Sequence, residues 1–390
     1  MKLFAKTLVN TTLGFFAFVT CSYAAIDNTA PAVKLQTSCT EAGVALNNCF
    51  TSMGALTSWI NYTRLPNKTA PLVVNIGPGT FGRLALTCNA AANYTGYVSF
   101  SGSGPKQSVI QFAAGGSPPF GIIESNGCTN LSFSSLRVSS GDSAGGMNYG
   151  YIVWNGGGMS QWSNVVAEVS ARGWSEDTCG STKGEHYWMG SRFVNTALVG
   201  IGTGYSATCD DSWFIGSEIT LTTRKKGILT AYNGDFVAIS AANNTEVHVY
   251  GSVIRAIGPD ASTSTGSLTA VSATSNGQVH LHGTGIDVLS AEARNVIALS
   301  AASGGMIHAN GSAYNLSTAS GTVTRIANNG GHIHAPYLWE HIPTAPLISV
   351  TGADMTTVAT GTSDGHPHLA IYDTTCVSKW YDTVDKVCRP

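Results

Sequence analysis

Four stretches near the end of the chain repeat one short pattern, in which an apolar residue and a His precede Gly-Ser, Gly-Thr or a remnant of that pair. The histidines of the four copies are His248, His280, His308 and His334, so successive copies lie 32, 28 and 26 residues apart. Steps of this length are typical of one supersecondary unit in a solenoid. The chain is therefore predicted to be a repeat protein.

The repeating unit is predicted to consist of strands. Around His248 the alternation has a period of two, with Val247 and Val249 facing inward and His248 facing outward. Two further apolar strands flank each copy of the motif, at 237–239, 269–271 and 297–299 before it and at 254–257, 286–289 and 314–316 after it. The pattern predicts an all-β chain folded as a right-handed parallel β-helix with three short strands per coil, whose neighbouring coils stack at about 4.8 Å.

The same template extends towards the N-terminus. Tyr187 and Trp213 each stand three residues before a Gly-Ser pair, as His248 does. The outward position of the repeat is therefore predicted to carry a column of rings on successive coils, which reads Tyr187, Trp213, His248, His280 and His308.

Composition limits the classes of protein to which the chain can belong. Only 11% of residues are charged, 45 of 390 are Gly, and the formal net charge is −2. Low charge and many Gly, Ser, Thr and Asn residues do not favour a helix-rich or a nucleic-acid-binding protein. We therefore expect no nucleic-acid partner.

The N-terminus has the pattern of a secretory signal. Residues 1–24 contain Lys2 and Lys6, an apolar core at 13–19, and the small-residue sequence Ser-Tyr-Ala at 22–24. No other stretch reaches the roughly 18 apolar residues that a membrane span requires. The protein is predicted to be secreted, on the cell surface or in the periplasm, without a membrane span.

Eight cysteines follow the signal, and an even number in an exported chain indicates disulfides. A metal cluster is the alternative, but the chain contains no Cys-x-x-Cys spacing. The pairs predicted are Cys39–Cys49, Cys88–Cys128, Cys179–Cys209 and Cys376–Cys388. The outermost pairs, Cys39–Cys49 and Cys376–Cys388, would staple the two ends of a β-helix at 71–375, which lies between an N-terminal cap at 25–70 and a disulfide-closed C-terminal cap at 376–390.

The N-terminal third resembles a known family. Residues 73–81, Val-Val-Asn-Ile-Gly-Pro-Gly-Thr-Phe, followed by Gly-Ser-Gly-Pro at 102–105, resemble the opening coils of pectinesterases and, more broadly, of the pectin-lyase-like superfamily. The later coils are similar to the passenger repeats of autotransporter adhesins. The first resemblance implies a parallel β-helix whose first coil is capped by a short amphipathic helix within 39–62.

The resemblance also suggests a catalytic site. Pectinesterases use two Asp residues on neighbouring coils, with an Arg nearby and Gln residues that form the oxyanion site. Asp211 is the position that matches their nucleophile. Asp210 and Asp211 are therefore the candidate catalytic residues. The Gly-Arg-Pro-Trp motif of the family is missing, and Arg224 and Arg255 lack matching surroundings. The alternative interpretation makes Asp210-Asp211 a turn that caps the following strand.

A second candidate site lies in the segment 141–185, the longest departure from the repeat, together with the first rings of the column. Loops on a rigid solenoid often carry binding sites, and aromatic faces beside carboxylates suit sugars. The predicted ligand-binding residues are Trp154, Trp162, Trp174, Glu176, Asp177, Glu185, His186, Tyr187 and Trp213. The alternative is that the tryptophans pack over the flank of the coils.

Histidine pairs at i and i+2 raise the question of a metal site. They occur at His280/His282, His332/His334 and His366/His368, beside the His248, His280, His308 column. Several imidazole nitrogens would suit zinc, but no carboxylate accompanies them at a fixed spacing. We therefore expect a solvated ladder of copied residues, with no metal and no cofactor.

Two functions from different classes follow. The first is an exported, non-catalytic β-helix of the adhesin or surface-structure type, whose flank binds a polysaccharide, a cell-surface glycan or another polymer, as a monomer or an oligomer. The second is a polysaccharide-active enzyme, an esterase or a hydrolase, of degenerate pectinesterase type. The missing Arg and Gln machinery favours the first function.

Overall fold

The computed structural model describes residues 26–111, 121–140, 152–155, 158–168, 172–178, 184–196, 199–203, 211–223, 234–258, 265–335, 338–340, 380–382 and 387–389. In this part of the chain, three parallel sheets wind into a β-solenoid. From Leu72 to Asn329, each coil contributes one strand to each sheet, which confirms the predicted fold class. Residues 1–24, which carry the predicted signal, lie outside the described ranges.

Sheet 1 contains the motif strands and has 12 members. They are Ala32–Leu35, Cys49–Phe50, Leu72–Ile76, Gly96–Gly102, Asn130–Ser134, Met159–Ser163, Glu185–Met189, Asp211–Ile215, Glu246–Tyr250, Gln278–His282, Met306–Asn310 and His332–His334. The first of them, which falls within the predicted N-terminal cap, already pairs in parallel with Leu72–Ile76.

Sheet 2 has nine strands and sheet 3 has ten. Sheet 2 comprises Leu84–Thr87, Ile123–Asn126, Ile152–Asn155, Arg172–Thr178, Val199–Thr203, Phe236–Ala241, Ser267–Thr274, Asn295–Ala302 and Val323–Asn329. Sheet 3 comprises Gly79–Phe81, Ser108–Gln111, Arg137–Ser139, Val166–Glu168, Arg192–Thr196, Glu218–Thr222, Val253–Gly258, Gly285–Ser290, Ser312–Thr318 and Leu338–Glu340. Two small antiparallel pairs, Thr40–Glu41 with Val44–Ala45 and Trp380–Asp382 with Val387–Arg389, complete the strands.

The Gly-Ser pair of the motif has a physical role at the corner between sheets 1 and 3. Gly251 has a φ of +53°, a left-handed conformation that favours glycine. The buried Ser252 hydroxyl donates to the carbonyl of Tyr250 at 2.9 Å and accepts the N–H of Ser217, one coil earlier, at 3.0 Å. Glycine therefore turns the chain, and the hydroxyl joins adjacent coils by satisfying buried backbone groups.

A stack of inward-facing rings fills the centre of the solenoid. Phe133, Trp162 and Trp188 lie on successive strands of sheet 1, with ring centroids 4.0 and 4.3 Å apart along the stack. Trp174 enters from sheet 2 and meets Trp162 and Trp188 of this stack edge-on. Trp154, also on sheet 2, meets Trp174 at a tilt, and both rings meet the buried His186 ring edge-on. These contacts place the two sheet 2 tryptophans in the core.

The burial of these rings corrects the predicted ligand-binding set. Trp154, Trp162, Trp174 and His186 are at most 2% exposed, so they cannot contact a ligand at the surface. The alternative interpretation, in which the tryptophans pack, describes their environment better, although they pack inside the coils and not over the flank. Stacking and burial of such large rings are energetically favourable.

A short helix covers the first coil, as the resemblance implied. The α-helix Met53–Trp59 continues into a π-helical turn, Ile60–Arg64, and a 3₁₀ turn follows at Ala90–Ala92. Ser52 caps the helix by accepting the Ala55 N–H at 3.2 Å. The helix occupies only the end of the expected 39–62 segment, because Cys49–Phe50 joins sheet 1.

Two of the four predicted disulfides are confirmed. They join Cys39 to Cys49 and Cys88 to Cys128. Both bonds suit an oxidising compartment. Cys179, Cys209 and Cys376 lie outside the described residues, as does the side chain of Cys388, so the other two pairings stay predictions. Among the described helices, none is long and apolar enough to cross a membrane.

Candidate binding face on sheet 1

The outward side chains of sheet 1 between strands Glu185–Met189 and Met306–Asn310 form a regular surface, here called the ladder face. Its central column follows strand register and reads Tyr187, Trp213, His248, His280 and His308. All five side chains are partly exposed. The predicted column of outward-facing rings is thus confirmed.

The first four rings of this column, from Tyr187 to His280, stack along the axis of the solenoid. Trp213 lies 4.9 Å from Tyr187 and 4.9 Å from His248, with interplanar angles of 16° and 2°. Both faces of the indole are therefore covered by neighbouring rings. A ligand on this surface meets the edge of Trp213, which differs from the face-on sugar contact that the sequence suggested.

A column of carboxylates runs beside the rings. Glu185, Asp211 and Glu246 each stand two residues before a ring of the central column, and therefore on the same face. The Tyr187 hydroxyl donates to Glu185 Oε2 at 2.5 Å, and this hydrogen bond raises the pKa of Tyr187 to about 12. Asp211 Oδ1 accepts the backbone N–H of Glu246 at 3.0 Å, which ties adjacent coils together.

An apolar column borders the rings on the other side. Met189, Ile215 and Tyr250 occupy successive coils in register and are 40, 41 and 37% exposed. Tyr250 stacks on His282 of the next coil at 4.7 Å. Contiguous exposed apolar groups rimmed by polar ones are typical of interaction sites. The ladder face therefore combines apolar, aromatic and acidic side chains in three parallel columns.

Burial and neighbouring charges lower the pKa values of the column histidines. The pKa of His280 falls to about 4, first because burial disfavours its charged form and then because His248 and His308 would repel it. Burial also lowers the pKa of His248, against the attraction of Glu246 at 3.3 Å, and that of His308. Repulsion between the charged histidines, the cause that their stacking suggests first, lowers the pKa of His280 less than burial does.

These pKa values predict a loss of stability in mild acid. The unfolded histidines titrate near 6.5 and the folded ones lower, so the unfolded chain binds more protons in the window from 6.5 down to about 4. The contribution of the neutral column histidines to the free energy of unfolding is complete above that window and is lost as the pH falls through it. We expect the melting temperature to fall by a few degrees between roughly pH 7 and pH 5. The measurement includes EDTA, so that metal ions do not compete with protons for the imidazoles.

The matched control for this measurement is the triple variant His248→Gln, His280→Gln, His308→Gln, which lacks the titrating rings. Its melting temperature should fall less over the same interval. Equal declines in the two proteins would show that the column does not control acid stability.

Of the arginines that could accompany Asp211 in catalysis, the described one, Arg255, lies on a different sheet. Asp211 begins a sheet 1 strand, whereas Asp210 and Arg224 lie outside the described residues. Arg255 lies on sheet 3, where it pairs with Glu218 at 3.1 Å and with Asp287 at 3.4 Å. Arg255 therefore belongs to a charged ladder on another sheet.

Of the other candidate residues, Glu176 and Asp177 have only their backbone described, and His366 and His368 lie outside the described residues.

Glu246 is the residue of this face that the sequence analysis missed. Its carboxylate Oε2 lies 3.3 Å from His248 Nε2, so a carboxylate does accompany the histidine column. The signal is present in the sequence as an acid, any residue and a ring, repeated at Glu185–Tyr187, Asp211–Trp213 and Glu246–His248. The apolar column was also missed, although Met189, Ile215 and Tyr250 each directly precede the Gly of a Gly-Ser pair.

Comparisons with known proteins add little to this geometry. No protein-family model matches the chain, and no curated protein matches it in sequence. Among solved structures, the A-module of the mannuronan C-5 epimerase AlgE6 from Azotobacter vinelandii is similar over 70% of this chain and 92% of that chain. The identity is 12% and the TM-score 0.29, values too low for the likeness to carry an argument about this protein.

Proposed function

We propose that this chain is an exported, non-catalytic β-solenoid of the adhesin or surface-structure type, whose ladder face binds an extended glycan or another cell-surface polymer. The observation that carries the proposal is the exposed apolar column of Met189, Ile215 and Tyr250 beside the ring and carboxylate columns. An exposed patch of this kind is typical of a surface that a partner covers. The resemblance of the later coils to adhesin passenger repeats supports the same class.

The chemistry of the face suits a hydroxyl-rich ligand. Carboxylates accept hydrogen bonds from hydroxyls, while imidazole and phenol groups both donate and accept them. From Tyr187 to His308 the ring column crosses four coil steps, or about 20 Å at the spacing of paired strands. This length exceeds a single sugar and favours a chain that follows the columns.

Our proposal extends to the family. We place the chain in the pectin-lyase-like superfamily, on the resemblance of residues 73–81 and 102–105 to the opening coils of pectinesterases. The parallel solenoid and the strands Leu72–Ile76 and Gly79–Phe81 within the resembling stretch support this assignment.

A glycan array with the mature protein tests the binding function. For any glycan that binds, we expect Ile215→Ser and Trp213→Ala each to weaken binding by roughly 1–3 kcal/mol, since both remove apolar contact from the ladder face. Ile326→Ser is the matched control, because Ile326 is similarly exposed, at 37%, but lies on sheet 2. Unchanged binding in both ladder variants, or equal loss in the control, would place the binding surface elsewhere.

The second candidate function is a polysaccharide-active enzyme, favoured by the carboxylate column. Asp211 is the register partner of Glu185 and precedes Glu246 by one coil, so carboxylate-bearing positions recur at about 4.8 Å. Retaining glycosidases hold their two carboxyl groups about 5–5.5 Å apart. Against catalysis, one oxygen of Asp211 is engaged by a backbone N–H.

Reducing-sugar and ester-release assays on any bound glycan distinguish the two functions. We expect no turnover by the wild-type protein and no effect of Asp211→Asn on binding larger than about tenfold. Asp235→Asn is the control, because Asp235 also accepts a backbone N–H of the next coil, that of Ser267 at 2.8 Å. A measurable activity that Asp211→Asn abolishes and Asp235→Asn retains would replace the non-catalytic function with the enzymatic one.

A further inference from the structure

One cluster on the ladder face has donor atoms suited to a cation. Glu246, His248 and His280 each offer one ligand atom, and these atoms all lie within 4.8 Å of one another. The first two are neighbours on one strand face, and His280 is the register partner of His248 on the next coil. Strand pairing therefore fixes the three donors relative to one another.

The unsatisfied nitrogens of the two rings are a second, independent observation. His248 Nδ1 and His280 Nε2 are both shielded from solvent, and neither has a hydrogen-bond partner among the described residues. A buried polar atom without a partner costs free energy, and such atoms are rare in native proteins. A metal ion held between Glu246 Oε2 and His248 Nε2, which lie 3.3 Å apart, would give His280 Nε2 the partner that it lacks.

We propose that Glu246, His248 and His280 form a binding site for a divalent transition-metal ion, with Zn²⁺ as the best-suited ion. Two imidazoles and one carboxylate form a ligand set that zinc accepts. Three protein ligands leave a fourth tetrahedral position for water or a hydroxyl of a bound ligand. The proposal is independent of whether the face binds a polymer.

Binding one ion requires one of the two stacked rings to turn out of the stack. The planes of His248 and His280 are 9° apart with centroids 4.7 Å apart, whereas a shared tetrahedral ion needs donor atoms roughly 3.3 Å apart at metal–ligand distances of about 2.0–2.1 Å. His280 and His308 already meet at 87°, which shows that imidazoles of this column can stand perpendicular to each other. We expect one ring to turn about its side-chain bonds so that both rings face one ion, with the strand register unchanged.

The competing explanation is a ladder of copied histidines that binds nothing. Titration calorimetry of the mature, untagged protein with ZnCl₂ after EDTA treatment separates the two. We expect saturable binding of one ion at this site in the wild type, accompanied by a rise in melting temperature. Replacing Zn²⁺ by Co²⁺ should give the visible absorption of a tetrahedral ion.

Variants locate the site. We expect Glu246→Gln and His280→Gln each to weaken Zn²⁺ binding by at least about tenfold and to lose the zinc-dependent rise in melting temperature. His332→Gln is the matched control, because His332 faces outward on the same sheet two coils from His280. Circular dichroism of each variant checks its fold.

Three results would overturn the proposal. They are no saturable binding by the wild type, undiminished binding in both ligand variants, and an equal loss in His332→Gln. The last would indicate diffuse binding by the exposed histidines in place of a defined site.

Discussion

We expect Trp174→Ala to lower the free energy of unfolding by about 3–5 kcal/mol, the usual cost of removing a buried aromatic ring. Trp174 is fully buried, and its ring lies 4.9 Å from His186, 5.4 Å from Trp188 and 5.9 Å from Trp162. Interiors of stacked coils cannot collapse freely around a lost indole, because strand pairing fixes the distance between neighbouring backbones. The cavity should therefore persist and add to the lost burial.

Urea denaturation followed by circular dichroism measures this effect. Trp213→Ala is the control, since Trp213 occupies the partly exposed outward face of sheet 1 and its loss should cost much less. Glycan binding by Trp174→Ala, measured well below its denaturation midpoint, should match the wild type. Equal stabilities of the two Trp variants would contradict the core position of Trp174.

A second large loss of stability is expected from replacing Arg294, the cation of a buried ion pair. Arg294 and Glu292 are fully buried and joined through Arg294 Nε and Glu292 Oε2. Arg294 Nη1 also donates to the carbonyls of Gly234 at 2.7 Å and Thr265 at 3.1 Å, on two earlier coils. One guanidinium thus links several coils at the corner between sheets 3 and 2.

Arg294→Met should destabilise the protein by about 3–5 kcal/mol, because it leaves the carboxylate of Glu292 buried without its counter-charge. The double variant Glu292→Gln, Arg294→Met should recover part of this loss, since no uncompensated charge remains. Arg255→Met is the surface control, for which roughly 0–1 kcal/mol is expected. Denaturation midpoints of the four proteins test the ordering. An Arg294→Met variant as stable as Arg255→Met would contradict the stabilising role of the buried pair.

Much of the architecture could be read from particular residues of the sequence. The Gly-Ser and Gly-Thr pairs mark one corner of each coil, so counting back from Gly251 assigns His248 to the outside and Val249 to the inside. The same count from Gly190 assigns Tyr187 outward and Trp188 inward, which the structure bears out. A single anchored glycine therefore determines which side chains face solvent along a whole strand.

The orientation of the other tryptophans could not be read in this way. The corner after Trp162 is formed by Asn164, in a left-handed conformation with a φ of +52°, and not by Gly, so the anchor goes unrecognised. Trp154 and Trp174 lie on sheet 2, whose strands have no motif. A shift of one residue reverses the face of every side chain in a strand. Without an anchor, core and ligand-binding interpretations are equally compatible with the sequence.

The sequence by itself determined the repeat, the strand periodicity, the ring column and two of the cysteine pairs, because the recurring Gly-Ser motif anchors the strands and neighbouring cysteines in the chain pair with each other. Only the tertiary structure decided which tryptophans lie in the core, that Glu246 faces His248 beside His280, and that Arg294 is buried against Glu292. These features depend on the register between strands some 30 residues apart, and backbone pairing across coils sets that register.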